Sequence, residues 1–245
     1  GSGIITTAGL DAGTDINLLT AGLIDIGDSI TTNNGDIVLR GLGNVTQNAG
    51  NIGAGDSVDI SGNNIDLIDV SANGNIEIDG TGIVDISQNG LYADSGYIEV
   101  EAVGDITVGA DVNAGDYATI ASANGSVIQT SGTISGTYVE VLAGQNATLI
   151  DVVGNTNGPS GYAIKVTADG VADVANLVAT SISDLNIGID PTNVIVNGPI
   201  TATGNIDITA DNTITVDADV TADFDLNNTG TATLIATTGS INQSN

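Results

Sequence analysis

Gly35-Asp36-Ile37-Val38-Leu39, Gly74-Asn75-Ile76-Glu77-Ile78 and Gly204-Asn205-Ile206-Asp207-Ile208 are copies of one pattern: glycine, a small polar residue, an aliphatic, any residue and a second aliphatic. Outward from these copies, the first aliphatic recurs at Ile16, Ile37, Val58, Ile76, Ile98, Ala118, Val139, Ile164, Leu185, Ile206 and Phe224, in steps of about 21 residues. A second series runs between them at Ile24, Val45, Ile65, Val84, Ile106, Val127, Ala147, Val171, Val194, Ile214 and Leu234. Apolar and polar residues alternate within each copy, as in Val58-Asp59-Ile60, which is the period of a strand with one buried face. Gly, Asn and Asp between the strands, as in Asn33-Asn34-Gly35, supply the backbone freedom that corners require.

One such turn cannot bury its own apolar face, but turns stacked in register pair every strand above and below and line like side chains into columns. The expected fold is all-β: a single-stranded parallel β-helix, or solenoid, with at least two strands per turn and roughly 11 to 12 turns. Residues 1–245 form one continuous rod, since no composition shift or linker divides the chain and Pro159, Pro191 and Pro199 all fall in loop-like stretches. Gly154-Asn155-Thr156-Asn157-Gly158-Pro159-Ser160-Gly161 lengthens one turn and is expected to bulge outward. A pair of β-sandwich domains would repeat near 100 residues and need bulky core anchors; here aromatics are only 2% of the chain and there is one Phe.

Charge bounds the function. Thirty acids face two bases, Arg40 and Lys165, for a formal net charge of -28. Nucleic acid is not an expected partner, because displacing the counterions of a polyanion takes Lys and Arg, and anionic lipid is unsuited for the same reason. No apolar run is long enough to span a bilayer, so no membrane insertion is expected. The chain has no Cys, hence neither disulfides nor thiolate metal sites. The lack of Met, at position 1 included, leads us to expect an excised or processed piece of a longer product.

The units quoted above, with Gly104-Asp105-Ile106-Thr107-Val108, resemble the G-[DN]-I-x-[IVL] repeats of filamentous-haemagglutinin-like exoproteins, the bacterial surface adhesins exported by two-partner secretion. The similarity runs along nearly the whole chain. The NPN-type motifs of that family's secretion domain have no counterpart, the nearest strings being Asn155-Thr156-Asn157-Gly158 and Asp190-Pro191-Thr192-Asn193. The resemblance implies a repeat segment of a larger exported adhesin or fibre, structural or adhesive, extracellular or on the bacterial cell surface. Its implied partners are neighbouring repeats or copies end to end, and host or matrix glycans or proteins. A secreted polysaccharide-binding or polysaccharide-degrading β-helix is the alternative.

No enzyme is expected. Lyases on β-helices use Arg or Lys as base, and Arg40 and Lys165 lie about six turns apart. Without His or Cys the usual nucleophilic triads are ruled out, and no Gly-Lys-Ser/Thr supports a phosphate loop. No cofactor is expected, with calcium the one candidate ion. The outward position of the motif carries Asn17, Val38, Asp59, Glu77, Glu99, Thr119, Glu140, Lys165, Asn186, Asp207 and Asp225 on successive turns. Stacked carboxylates repel, and an oxygen-ligated cation would relieve them. The densest acidic cluster, Asp217, Asp219, Asp223 and Asp225, is the candidate metal site. Tyr97, Tyr117 and Tyr138 share one motif position and are expected to stack into a ladder, the candidate ligand strip; Tyr162 sits one residue early.

Overall fold

The computed structural model describes residues 3–180, 185–223 and 230–243. It is a parallel β-solenoid of about 10 turns at about 21 residues per turn, somewhat fewer turns than expected. Each turn has three strands, and their pairing with the turns above and below builds three faces. The first face stacks Ile16, Ile37, Val58, Ile76, Ile98, Ala118, Val139, Ile164, Ile187, Ile206 and Ala232 in register. The second runs from Ile5 and Ile24 to Ile214 and Ile241. The third, from Leu10 and Ile30 to Ile200 and Val220, is the one that spacing alone did not separate.

Its signal is nonetheless in the chain, as an aliphatic, any residue and a small one: Ile52-Gly53-Ala54, Val70-Ser71-Ala72, Leu91-Tyr92-Ala93 and Val112-Asn113-Ala114. The small residue is buried where the chain turns the corner back to the first face. Backbone there stacks so closely on backbone that a Cβ on Gly115 would lie 2.3 Å from the Asp94 carbonyl oxygen. The lumen is filled mainly by Ile, Val, Leu and Ala, with a few buried Thr, Ser and Gln among them, and Ile37, Val58, Ile76, Ile98 and Val139 are essentially inaccessible. Burying such a side chain contributes about 1.5–3 kcal/mol relative to exposure.

The polar residue of the motif has a specific task. Asp15, Asp36, Ser57, Asn75, Asn186 and Asn205 each stand just before a first-face strand. Each accepts, through its side-chain oxygen, the backbone N–H of the equivalent residue one turn on, at 3.2 Å from Asp36, 3.0 Å from Ser57, 3.2 Å from Asn75, 3.2 Å from Tyr97, 2.8 Å from Asn205 and 3.0 Å from Thr231. A parallel ladder sits before the second face, where Asn44, Asn64, Asp105 and Asn146 accept from Asn64, Ile83, Ser126 and Val171. A corner must satisfy amides that no longer point along the strand ladder, and short side chains with an acceptor oxygen reach them. This is why most copies of the motif carry Asp, Asn or Ser before the aliphatic; Tyr97, Tyr117 and Tyr138 hold the same position on three middle turns.

Four positions of the sequence reading shift. Opposite Ile164 stands Ile187, not Leu185, so the outward neighbour of Lys165 is Gly188 rather than Asn186. Leu185, Ile187 and Ile189 are all buried, and a period of two cannot choose among them. Ala172 rather than Val171 takes the second-face position, because the register slips between Ala168 and Val171 and a one-residue slip reverses inside and outside. Leu234 lies on the first face opposite Ile208, and Ile241 replaces it on the second, because the last step is longer than the repeat. Phe224 and Asp225 lie outside the described residues.

Candidate functional site

The chemistry-bearing side chains gather on the first face. Its outward residues form two columns, and the pairing puts Asp59, Glu77 and Glu99 on successive strands of one and Asp79 beside Glu101 in the other. Arg40 pairs with Asp59, and Lys165 lies 3.7 Å from Glu140, so both bases are engaged by acids. The remaining acids of the patch repel. Partial burial first, and then the charges of Asp59 and Glu77, hold the Asp79 carboxyl above its ordinary value; burial and then Glu101 and Glu77 do the same for Glu99. On the second face Asp85 is raised by burial and by Asp66 below it.

These shifts have a definite sign. A carboxyl whose folded pKa is raised favours folding once protonated, so stability rises as pH falls through the raised values towards the ordinary 3.8 and 4.5. The melting temperature is therefore expected to be higher at about pH 4 than at about pH 7 at equal ionic strength, with added salt narrowing the gap. A lower melting temperature at the acidic pH would contradict this account.

Along the edge of the same face the expected tyrosine ladder is present. Tyr97 and Tyr117 have ring centroids 4.9 Å apart with planes 9° from parallel, and Tyr117 and Tyr138 are 5.0 Å and 12°. The strand spacing of the solenoid imposes this distance. The Tyr97 hydroxyl donates to the Glu77 carboxylate, which together with burial pushes its pKa up to about 12. The inserted loop closes one end of the ladder: a Cβ on Gly158 would lie 2.6 Å from Cγ of Tyr138. The rings thus spend their facing surfaces on one another and offer edges and hydroxyls outward. Stacking against a sugar needs an open ring face, and Tyr117 has none. Tyr162 stands apart, over Gly188, with its hydroxyl 3.4 Å from Asp207.

The acidic cluster singled out for calcium is spread over two corners. Asp217 and Asp219 flank the turn between Val216 and Val220, Asp223 lies beyond the third-face strand with φ 58, and Asp225 is outside the described residues. Among the described residues no group of three or more acidic side chains is arranged to hold a metal ion.

Two residues passed over by spacing and composition have the most specific roles in the lumen. Gln47 and Gln129 are inward and 1% exposed. The Gln47 amide donates to the carbonyls of Gly50 at 2.9 Å and Asp69 at 3.0 Å, and its oxygen accepts from the amides of Ile68 at 2.9 Å and Asp69 at 3.1 Å. Gln129 repeats this with Gly132 at 2.7 Å, Asp151 at 2.9 Å, Ile150 at 2.8 Å and Asp151 at 3.1 Å. The signal is legible in hindsight: Gln-x-x-Gly in one turn and Leu-Ile-Asp-Val in the next, at 47–50 with 67–70 and at 129–132 with 149–152. Gly50 and Gly132 adopt φ 73 and 75, which disfavours any other residue.

The fold and this surface define the class as an all-β parallel solenoid with an acidic, aromatic-edged face. Compared with known proteins, the chain matches no family model, no curated protein and no solved structure.

Proposed function

We propose that this chain is a structural or adhesive rod acting outside a bacterial cell, a repeat segment of a larger exported adhesin or fibre. The observation that carries this reading is the unbroken stack from Ile16 to Ala232, which turns chain length into distance and leaves its sides free. The net charge of -28 supports it, because a self-repelling surface keeps such a rod soluble and laterally separate. Antibodies raised against the purified chain are expected to label intact, unpermeabilised source cells; labelling only after permeabilisation would overturn the reading.

End-to-end stacking on another turn belongs to the same proposal. Gln243 stands in register above Val216, in the inward column that also holds Gln47 and Gln129. A turn stacked above it would be gripped as Leu67–Val70 is gripped by Gln47. Fusing a copy of residues 50–80 beyond Asn245, which continues the chain in the register that follows Gln47, is expected to raise the melting temperature, and Gln243→Ala to cancel most of that gain. An equal gain in both proteins would remove Gln243 from the junction.

A further inference from the structure

Large apolar side chains left in the open are not scattered over this rod. Ile4, Leu10, Ile235 and Ile241 belong to the first and last described turns, and Ile150 stands alone. Leu19 also belongs to the first described turn. The other four lie at the corner between the first and second faces as two groups, Leu23 with Leu42 and Ile83 with Val103, separated by the Asn63-Asn64 corner, with Ile83 50% and Val103 44% exposed. A shallow groove runs down this corner, floored by small residues such as Gly80 and Ala102. It is bordered on the corner side by Thr81, Val103 and Ala123 and on the other by the column Asp79, Glu101, Ala121 and Leu142, which is acidic at one end and apolar at the other. Apolar side chains held in water beside a groove of small residues mark an interaction surface.

Its surroundings specify the occupant. The backbone is already used, since Val103 N–H donates to the Gly80 carbonyl at 3.0 Å and Gly104 N–H to Gly82 at 2.8 Å, so an added strand finds no free edge here. Recognition must come through side chains. The acids beside the groove are Asp79 and Glu101, with Glu77 and Glu99 one column further; Arg40, two strands away in the column of Asp79, is engaged by Asp59, and Lys165 by Glu140. Like-charged partners are disfavoured by such a border and cationic ones are drawn in. Two copies of this chain meeting at the groove would set these carboxylates against one another.

We propose that the corner groove centred on Val103 binds a basic amphipathic polypeptide segment, with aliphatic side chains seated between Val103 and Leu142 and reaching the exposed Ile83 at the groove's margin, and Lys or Arg set against Asp79 and Glu101. The proposal is independent of whether the rod is displayed on a cell.

The test is a titration of the whole protein with a synthetic amphipathic leucine–lysine peptide, followed by calorimetry, beside a leucine–glutamate peptide of the same pattern and oligolysine of the same length. Three variants accompany it: Ile83→Ser with Val103→Ser, Asp79→Asn with Glu101→Gln, and, as a control of equal charge change on another face, Asp66→Asn with Asp85→Asn. Circular dichroism establishes that each is folded. The leucine–lysine peptide is expected to bind and the other two to bind at least about tenfold more weakly, with each groove variant losing about tenfold and the second-face control little. Equal binding of oligolysine, or an equal loss in the control, would reduce the effect to the net charge and overturn the proposal. So would an unchanged affinity in the Ile83→Ser, Val103→Ser protein, or self-association of the unmodified chain that competes with the peptide.

Discussion

Replacing Gln47 by Leu is expected to destabilise the rod by on the order of 3 kcal/mol, although the substitution exchanges a polar lumen residue for the type that fills most other turns. Leucine has the volume but none of the bonding. The amides of Ile68 and Asp69 and the carbonyls of Gly50 and Asp69 would all lose their partner, and each buried polar group left alone costs about 1–3 kcal/mol, less where water reaches it. Gln47→Glu keeps the shape and the two acceptor contacts, but it loses both donors and buries a charge, so it is expected to be at least as damaging at neutral pH. Gln129→Leu should behave like Gln47→Leu. The two sites are four turns, or about 19 Å, apart, so the double variant should show the sum. Denaturant unfolding measures all four proteins; a Gln47→Leu chain as stable as the parent would show that these hydrogen bonds are dispensable.

Ile98→Ala is expected to cost about 2–5 kcal/mol, because Ile98 is fully buried between Ile76 and Ala118 and the rigid stack above and below cannot close on the space. Its neighbour provides the contrast. Glu99→Ala, one residue on and pointing out of the same strand, removes a carboxylate that Glu77 and Glu101 repel, and is expected to be neutral or slightly stabilising. In a quasi-one-dimensional array each turn contacts only its neighbours, so a lesion in the middle weakens coupling between two halves, while one at an end only frays it. Leu234→Ala, in the last described turn and half-buried, should therefore cost much less than Ile98→Ala. Urea midpoints of the three variants check the order. Equal losses at Ile98 and Glu99 would mean that the alternation of inside and outside has been misassigned.

The alternation in Ile76-Glu77-Ile78 and the return of the motif are enough, as one-dimensional pattern, to determine the solenoid, the inward column of its first face from Ile16 to Ile164 and the tyrosine ladder. The reason is physical: a period of two fixes which side of a strand is buried, and a repeat too short to bury its own face has to stack. The motif also contains the corner ladders, since only a short side chain with an acceptor oxygen before the aliphatic can hold the next turn's amide.

Tertiary structure decided what local pattern leaves degenerate. Leu185 and Ile187 differ by one full period, and Val171 and Ala172 are both apolar, so only hydrogen bonding to Ile164 and Ala147 selects Ile187 and Ala172. Glutamine at positions 47 and 129 reads as polar and therefore outward, until the lumen supplies two donors and two acceptors at the right distance from a different turn. The gathering of Val103 and Leu142 around one groove with Asp79 and Glu101 is likewise invisible in one dimension. These residues come from separate turns and meet at one corner because the stack holds all turns in register, whereas Asp217 and Asp223, close in sequence, are set on different corners by the strand between them.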